Sequence, residues 1–192
     1  MTDRVSAHLR NLGGQIAALT SADIEPLTSA VEAAWAADRT VFVAGNGGSA
    51  ATASHFATDL SKTAAPKAPG ARGIRAVALT DNMGLLTAWA NDHSFEHVFA
   101  EQLRNLARCD DLFIAISTSG ESPNLLAAVS AAGECGVQSL ALAPPASTLG
   151  RRAGILVPIE GESVQISEDL HHIVCHAVTA RMADVLANAA SR

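Results

Sequence analysis

Five short apolar runs, most of them separated by helix-patterned sequence, constrain this chain more than any other feature. They are Thr40–Ala44 (TVFVA), Arg75–Leu79 (RAVAL), Asp111–Ser117 (DLFIAIS), Val137–Leu142 and Gly154–Pro158. Helical patterns cover about Ala50–Lys62, Asp81–Ala90, Phe95–Leu106, a stretch ending near Cys135, and a long final segment of about Glu168–Asn188. Strands that are apolar throughout, rather than alternating, have both faces buried. With helices between them they specify a parallel sheet covered on two sides. Two further helices precede the first strand. In one, Val5, Leu9, Leu12, Ile16 and Leu19 recur at three- and four-residue steps, with Gly13 and Gly14 as weak points. In the other, Ser21 or Asp23 is the candidate cap and Leu27, Val31 and Trp35 share a stripe.

At ~150 residues per domain, 192 residues make about one domain. The expected organisation is a single domain over 1–192, with residues 1–38 as a helical addition to an α/β core over 39–192. A hydrophobic content of 48% excludes a disordered polypeptide, and with 4% aromatics the core is expected to consist of Ala, Leu, Val and Ile. The net charge of −6 argues against a general nucleic-acid or anionic-membrane binder, since phosphate backbones need clustered Lys and Arg. It leaves room for one small phosphorylated ligand held by backbone N–H groups. Cys109, Cys135 and Cys175 have no paired spacing, so reduced, mostly buried thiols are expected. With no apolar leader in residues 1–11 and no apolar run near ~18 residues, the reading is a soluble cytoplasmic protein. The Ala64–Arg75 stretch reads as a surface loop near a site.

Two loops carry the first chemical signal. Gly45-Asn46-Gly47-Gly48-Ser49 follows the first strand and opens a helix. Its spacing is neither that of a dinucleotide fingerprint nor that of a P-loop. Its glycines allow close approach of a ligand to the main chain, while Asn46 and Ser49 add polar side chains. After the third strand, Ser117, Thr118, Ser119 and Ser122 place four hydroxyls around Gly120, just before a helix. Helix capping accounts for one of these hydroxyls. Four point to an anion cradle.

Titratable groups carry the second signal. His55 and Asp59 are four residues apart, which on a helix is about 400° and about 6 Å of rise, so they share a face. Glu168, His172 and His176 repeat that spacing near the C-terminus, with His171 adjacent. Taken singly, His171 or His172 reads better as a satisfied core or surface residue. A His/carboxylate pair on each of two helices suits a divalent metal or an acid/base couple.

These residues together resemble the SIS (sugar isomerase) family. The matching elements are GNGGS-x5-HF-x2-acid-L, then ISTSG-x-S, then a C-terminal helix ending in H-x4-H, with TAWANDHSFEHVF between them. Within the family the chain is most similar to the phosphoheptose isomerase branch. The resemblance implies a flavodoxin-like three-layer sandwich with a five-stranded parallel sheet. It also implies a homotetramer with sites between subunits, and conversion of sedoheptulose 7-phosphate to D-glycero-D-manno-heptose 7-phosphate through an enediol. Carried over by position, Asp59 and His176 become the proton-transfer residues. His55, Asp59, Glu168 and His176 become the ligands of one zinc ion. Asn46, Gly47, Gly48, Ser49, Asp92, Ser117, Thr118, Ser119 and Ser122 become the sugar and phosphate contacts.

The chain departs from the family pattern in four places. Asp59 stands for a Glu, Thr63 for an Arg, Gln165 for an Asp and Glu168 for a Gln. Lys62 or Arg72 is the candidate substitute for that Arg. Helix geometry alone favours His172 as the neighbour of His176, because Glu168 is about 12 Å away along a straight helix. The resemblance favours Glu168, on the expectation that it lies at a frayed helix start. Two rivals accompany the isomerase reading. One is a non-catalytic SIS module that binds a sugar phosphate or a protein partner. The other is an isomerase for a different long-chain sugar phosphate.

Overall fold

The computed structural model describes residues 3–66 and 70–191. Two N-terminal helices, α1 (Arg4–Ala18) and α2 (Ser21–Ala36), lead into β1 (Thr40–Gly45). The chain continues through α3 (Gly48–Thr58), a π-helical turn (Asp59–Thr63), β2 (Arg75–Ala78), α4 (Met83–Asp92), a 3-10 turn (Phe95–His97) and α5 (Val98–Leu106). It ends with β3 (Leu112–Ile116), α6 (Pro123–Glu134), β4 (Gln138–Ala143), α7 (Thr148–Arg152), β5 (Ile155–Pro158) and α8 (Val164–Ala190). The five strands form one parallel sheet in the order β2-β1-β3-β4-β5.

Side chains alternate across this sheet, and the alternation builds two cores. Val41 and Val43 of β1, Leu112, Ile114 and Ile116 of β3, and Leu140 and Leu142 of β4 face one layer, with Leu27, Phe56 and Val174 of α2, α3 and α8. Phe42 and Ala44, Phe113 and Ala115, and Ala141 and Ala143 face the other, with Leu103 and Leu125 of α5 and α6. This is the expected three-layer α/β sandwich. Small Ala side chains under the second layer let helices approach the sheet closely. Four of the five phenylalanines, Phe42, Phe56, Phe99 and Phe113, lie in these cores, so the low aromatic count does not keep aromatics out of the interior. At the sheet edge Val77 is 41% exposed, so cover is incomplete there.

Several local expectations are corrected. α1 is continuous through Gly13 and Gly14, because Leu12, Leu19 and Ile24 anchor the N-terminal helices on the first core. The α2 cap is Thr20, which forms a reciprocal capping box with Asp23. The last helix begins at Val164, with the Ser163 hydroxyl accepting from the Ile166 N–H. Glu168 therefore sits inside regular helix rather than at a frayed end. Of the thiols, Cys175 is buried, Cys135 half-buried and Cys109 exposed, all free. In the 64–75 stretch, where residues 67–69 lie outside the described residues, the Arg72 guanidinium stacks over Trp35, and Ala64 and Ile74 are buried. Among the described residues, no helix is long and apolar enough to cross a membrane.

The sheet order also locates a crevice. From β1 the chain first adds a strand on one side, then crosses to the other side with β3. The loops beyond the carboxyl ends of β1 and β3 therefore diverge around an open cleft, where ligands bind in sheets of this kind. These are the glycine loop and the serine loop.

Candidate active site

The glycine loop is held by contacts that only glycine permits. Gly47 has φ +55° and ψ −122°. A Cβ on Gly45 would lie 2.5 Å from the backbone oxygen of Ser49. Alanine at 45 must therefore displace main chain, and we expect it to cost about 1–3 kcal/mol in urea unfolding. Alanine at 48 meets only the carboxylate of Glu168, which can swing away, and should cost much less. Equal losses in the two variants would refute this account of the loop.

The serine loop uses some of its hydroxyls on itself. The Gly120 N–H donates to Ser117 Oγ at 2.9 Å, and the Glu121 N–H donates to Ser119 Oγ at 3.2 Å. Ser122 occupies the N-cap of α6 without a side-chain capping bond. Among the described residues, the Thr118 and Ser122 hydroxyls have no hydrogen-bond partner. The two loops are tied by a reciprocal amide pair. Asn46 donates to Asn124 at 2.8 Å, and Asn124 donates back at 2.9 Å. Asn124 is buried and was not legible from the sequence, because its partner lies 78 residues away. Together Asn46, Ser122, Pro123, Asn124, Phe95 and Glu96 line a pocket of ≈ 370 Å³. A larger pocket of ≈ 440 Å³ lies beside α3 and β2, lined by Thr58, Ser61, Lys62 and Asp81 among others, and contains none of the titratable cluster described next.

α3 and α8 run side by side in the same direction, and their facing residues advance in step. The backbone at Gly48 abuts Glu168. One turn on, Thr52 Oγ1 lies 3.5 Å from His172 Nδ1. A further turn on, His55 Nε2 lies 3.3 Å from His176 Nε2. Asp59 Oδ2 closes this group at 3.4 Å from His55 and 3.6 Å from His176. Asp59 is nearly buried, and its other oxygen, Oδ1, accepts from Thr63 Oγ1 at 2.9 Å. Asp59 follows His55 by one regular helical turn, its N–H donating to the His55 carbonyl, and the π-helical turn Asp59–Thr63 comes after it and carries Thr63.

His172 joins the cluster. Its ring centroid is 4.5 Å from that of His55 and 4.6 Å from that of His176, in both cases edge-on. Ligating nitrogens of the three histidines all lie within 4.8 Å of one another. Burial first, and then the nearby His55 and His176, push His172 below the usual imidazole pKa, while Asp59 opposes this. Tetrahedral zinc with bonds of about 2.0–2.1 Å has ligand-to-ligand edges of about 3.3–3.4 Å. The His55, Asp59 and His176 donor atoms already stand at 3.3–3.6 Å. Borderline nitrogen donors and one carboxylate are also the donor types zinc takes.

The structure thus brings His55, Asp59 and His176 together, and gathers Asn46, Gly47, Gly48, Ser49 and the serine loop at the cleft. Glu168 stands apart from the histidines, facing the glycine loop two turns earlier. Asp92, the last residue of α4, is exposed and accepts from its neighbour Asn91. Among the described residues, no hydrogen bond links it to either loop.

Residues 6–143 match the family model described as SIS domain. The chain is 39% identical over 166 residues to a phosphoheptose isomerase of Halorhodospira halophila, covering 81% of this chain and 79% of the relative. It is 33% identical over 189 residues to a phosphoheptose isomerase of Bordetella avium, covering 96% and 88%. Its fold superposes on the phosphoheptose isomerase of Neisseria gonorrhoeae with a TM-score of 0.80 at 29% identity, covering 93% of this chain and 96% of that one. A structure from Francisella tularensis gives a TM-score of 0.86 at 24% identity, a likeness of fold.

Proposed function

We propose, on the premise that this chain belongs to the SIS domain family, that it is an aldose–ketose isomerase converting sedoheptulose 7-phosphate to D-glycero-D-manno-heptose 7-phosphate. The observation that carries this reading is the convergence of His55, Asp59 and His176 two helical turns beyond the glycine loop that opens α3. Along α3, eight residues separate Gly47 from His55, about 12 Å of rise. An extended seven-carbon phosphate has a reach of that order between its phosphate and its C1–C2 end.

The residues divide the work as follows. Backbone N–H groups at the start of α3 and α6, with the Thr118, Ser119 and Ser122 hydroxyls, hold the phosphate. Asn46, Ser49 and Ser117 fix the walls of that cradle. Isomerisation takes a proton from C1 of the ketose, returns one to C2, and moves the hydroxyl proton between O1 and O2. His176 and Asp59 are the proton-transfer pair. They approach from different helices, so they can serve opposite ends of the two-carbon unit. Thr63 holds Asp59 Oδ1, which orients a carboxylate one methylene shorter than the family's Glu. The same donors fit zinc, and His55, Asp59 and His176 could hold it in place of the proton-transfer role at those atoms; when bound, it would polarise the carbonyl and neutralise developing charge on oxygen. The exposed position of Asp92 is consistent with the homotetramer the resemblance implies, in which a residue remote from one subunit's cleft can reach another's.

The test is direct. Purified protein incubated with sedoheptulose 7-phosphate should form the aldose, followed by NMR, with C5, C6 and C8 ketose phosphates as controls and with and without added zinc. Absence of product from every sugar under both conditions would reject the isomerase reading.

A further inference from the structure

We propose that His172 is a metal ligand in this chain, in the place the resemblance gives to Glu168. The proposal rests on the isomerase reading only in taking a divalent metal as the group the cluster holds. Three structural observations carry it.

The first is register. Facing residues on α3 and α8 advance in step, so Glu168 lies opposite Gly48, and His172 lies opposite Thr52, one turn nearer His55 and His176. Glu168 belongs to the second turn of a regular helix that starts at Val164, so the backbone cannot bring it closer. The eight residues from Glu168 to His176 span about 12 Å, while His172 and His176 stand one turn apart. Histidines at that spacing on one helix face commonly bind a metal together.

The second is convergence. His172 has a ligating nitrogen within 4.8 Å of both other histidines, and Asp59 borders this group through His55 at 3.4 Å and His176 at 3.6 Å, whereas the Glu168 carboxylate lies against Gly48. The three rings meet edge-on, with interplanar angles of 66–87°, so they are not stacked and their edges remain accessible to an ion.

The third is the support behind the ring. Nδ1 of His172 faces Thr52 Oγ1, and that hydroxyl donates to the Gly48 carbonyl at 3.3 Å. Because the Thr52 hydroxyl donates to a carbonyl, it offers His172 a lone pair. Nδ1 is then the protonated nitrogen, and Nε2 is left with its lone pair free. Fixing the tautomer from behind in this way is how proteins orient ligating imidazoles. Thr52 is buried, so water does not replace it.

One consequence is electrostatic. Three neutral imidazoles and one carboxylate leave a divalent ion with net charge +1, where two imidazoles and two carboxylates would neutralise it. Glu168 is meanwhile left free beside the glycine loop.

The test uses the full chain, stripped of metal and titrated with cobalt(II). Binding is read from the visible d–d bands and by competition with a chromophoric chelator. H172Q should lower cobalt affinity by at least about 100-fold and change the band shape, while E168Q should keep the wild-type affinity and spectrum. T52V, which keeps the ligand and removes its support, should lower affinity by about 10–100-fold and guards against misfolding of H172Q. Loss of affinity in E168Q with none in H172Q and T52V overturns the proposal, as does a wild type that binds no cobalt. Turnover of the ketose phosphate by wild type, together with unaltered cobalt binding in H172Q, removes this ligand assignment and leaves the isomerase reading standing. Lost cobalt binding in H172Q, with no turnover of any sugar phosphate by wild type, does the reverse.

Discussion

His176→Ala should lose isomerase activity by about 10³-fold or more in kcat/KM while its thermal midpoint stays close to that of wild type. A positioned acid or base contributes about 10²–10⁴-fold, and each tenfold corresponds to about 1.4 kcal/mol of transition-state stabilisation. His176 also stands 3.3 Å from His55 and 3.6 Å from Asp59, which keep each other at 3.4 Å when it is removed. The side chain is about half exposed, at 51%, so truncation opens no cavity and the fold should be unaffected. This separation of activity from stability is what distinguishes a catalytic group from a structural one. The readout is steady-state turnover of sedoheptulose 7-phosphate beside a thermal melt of the same preparation. Undiminished turnover in the variant would remove His176 from the mechanism. Loss of turnover with a lowered melting point would assign it to structure instead.

His171→Leu should stabilise the protein, and more so as the pH falls. His171 lies one residue from the cluster in sequence but about 100° further round the helix, where it is fully buried. Among the described residues, neither of its ring nitrogens has a hydrogen-bond partner. A buried unpaired polar group costs about 1–3 kcal/mol, which an apolar side chain of similar volume recovers. Burial also pushes the His171 pKa down, from 6.5 to about 4. The unfolded chain therefore binds a proton below pH 6.5 that the folded chain refuses until about pH 4. Stability attached to this residue is fully present above pH 6.5 and is lost as the pH falls through that window. The loss is on the order of 3 kcal/mol at its limit. Urea unfolding of metal-free wild type and variant at pH 7, 5 and 4 measures the difference directly. A gap between the two that widens towards pH 4 is the expected result. Parallel acid losses in both proteins would show that His171 has a partner in solution.

The contrast between His171 and His172 shows where the sequence stops being informative. Both sit in the same HH pair, and a residue-by-residue reading gives both the same bland interpretation. One turn of helix is 3.6 residues, so neighbours point about 100° apart. α8 turns the flank that carries His172 and His176 towards α3, and this leaves His171 on the buried side and His172 beside His55.

The five strands, the glycine-rich and hydroxyl-rich loops and the pairing of His55 with Asp59 were all readable, because each depends on spacing within about ten residues. Unbroken apolar runs give buried parallel strands, and a four-residue step on a helix gives a shared face. A glycine-rich turn after the first strand and a hydroxyl-rich turn after the third were likewise visible as strings. What the string could not supply was register between distant segments. The Asn46–Asn124 pair and the step-for-step facing of α3 and α8 both depend on how elements 78 or more residues apart settle against one sheet. Local spacing determined which side chains share a face; only the packing of α8 along α3 decided which faces meet, because register between separate helices is fixed by core contacts that no short stretch of sequence contains.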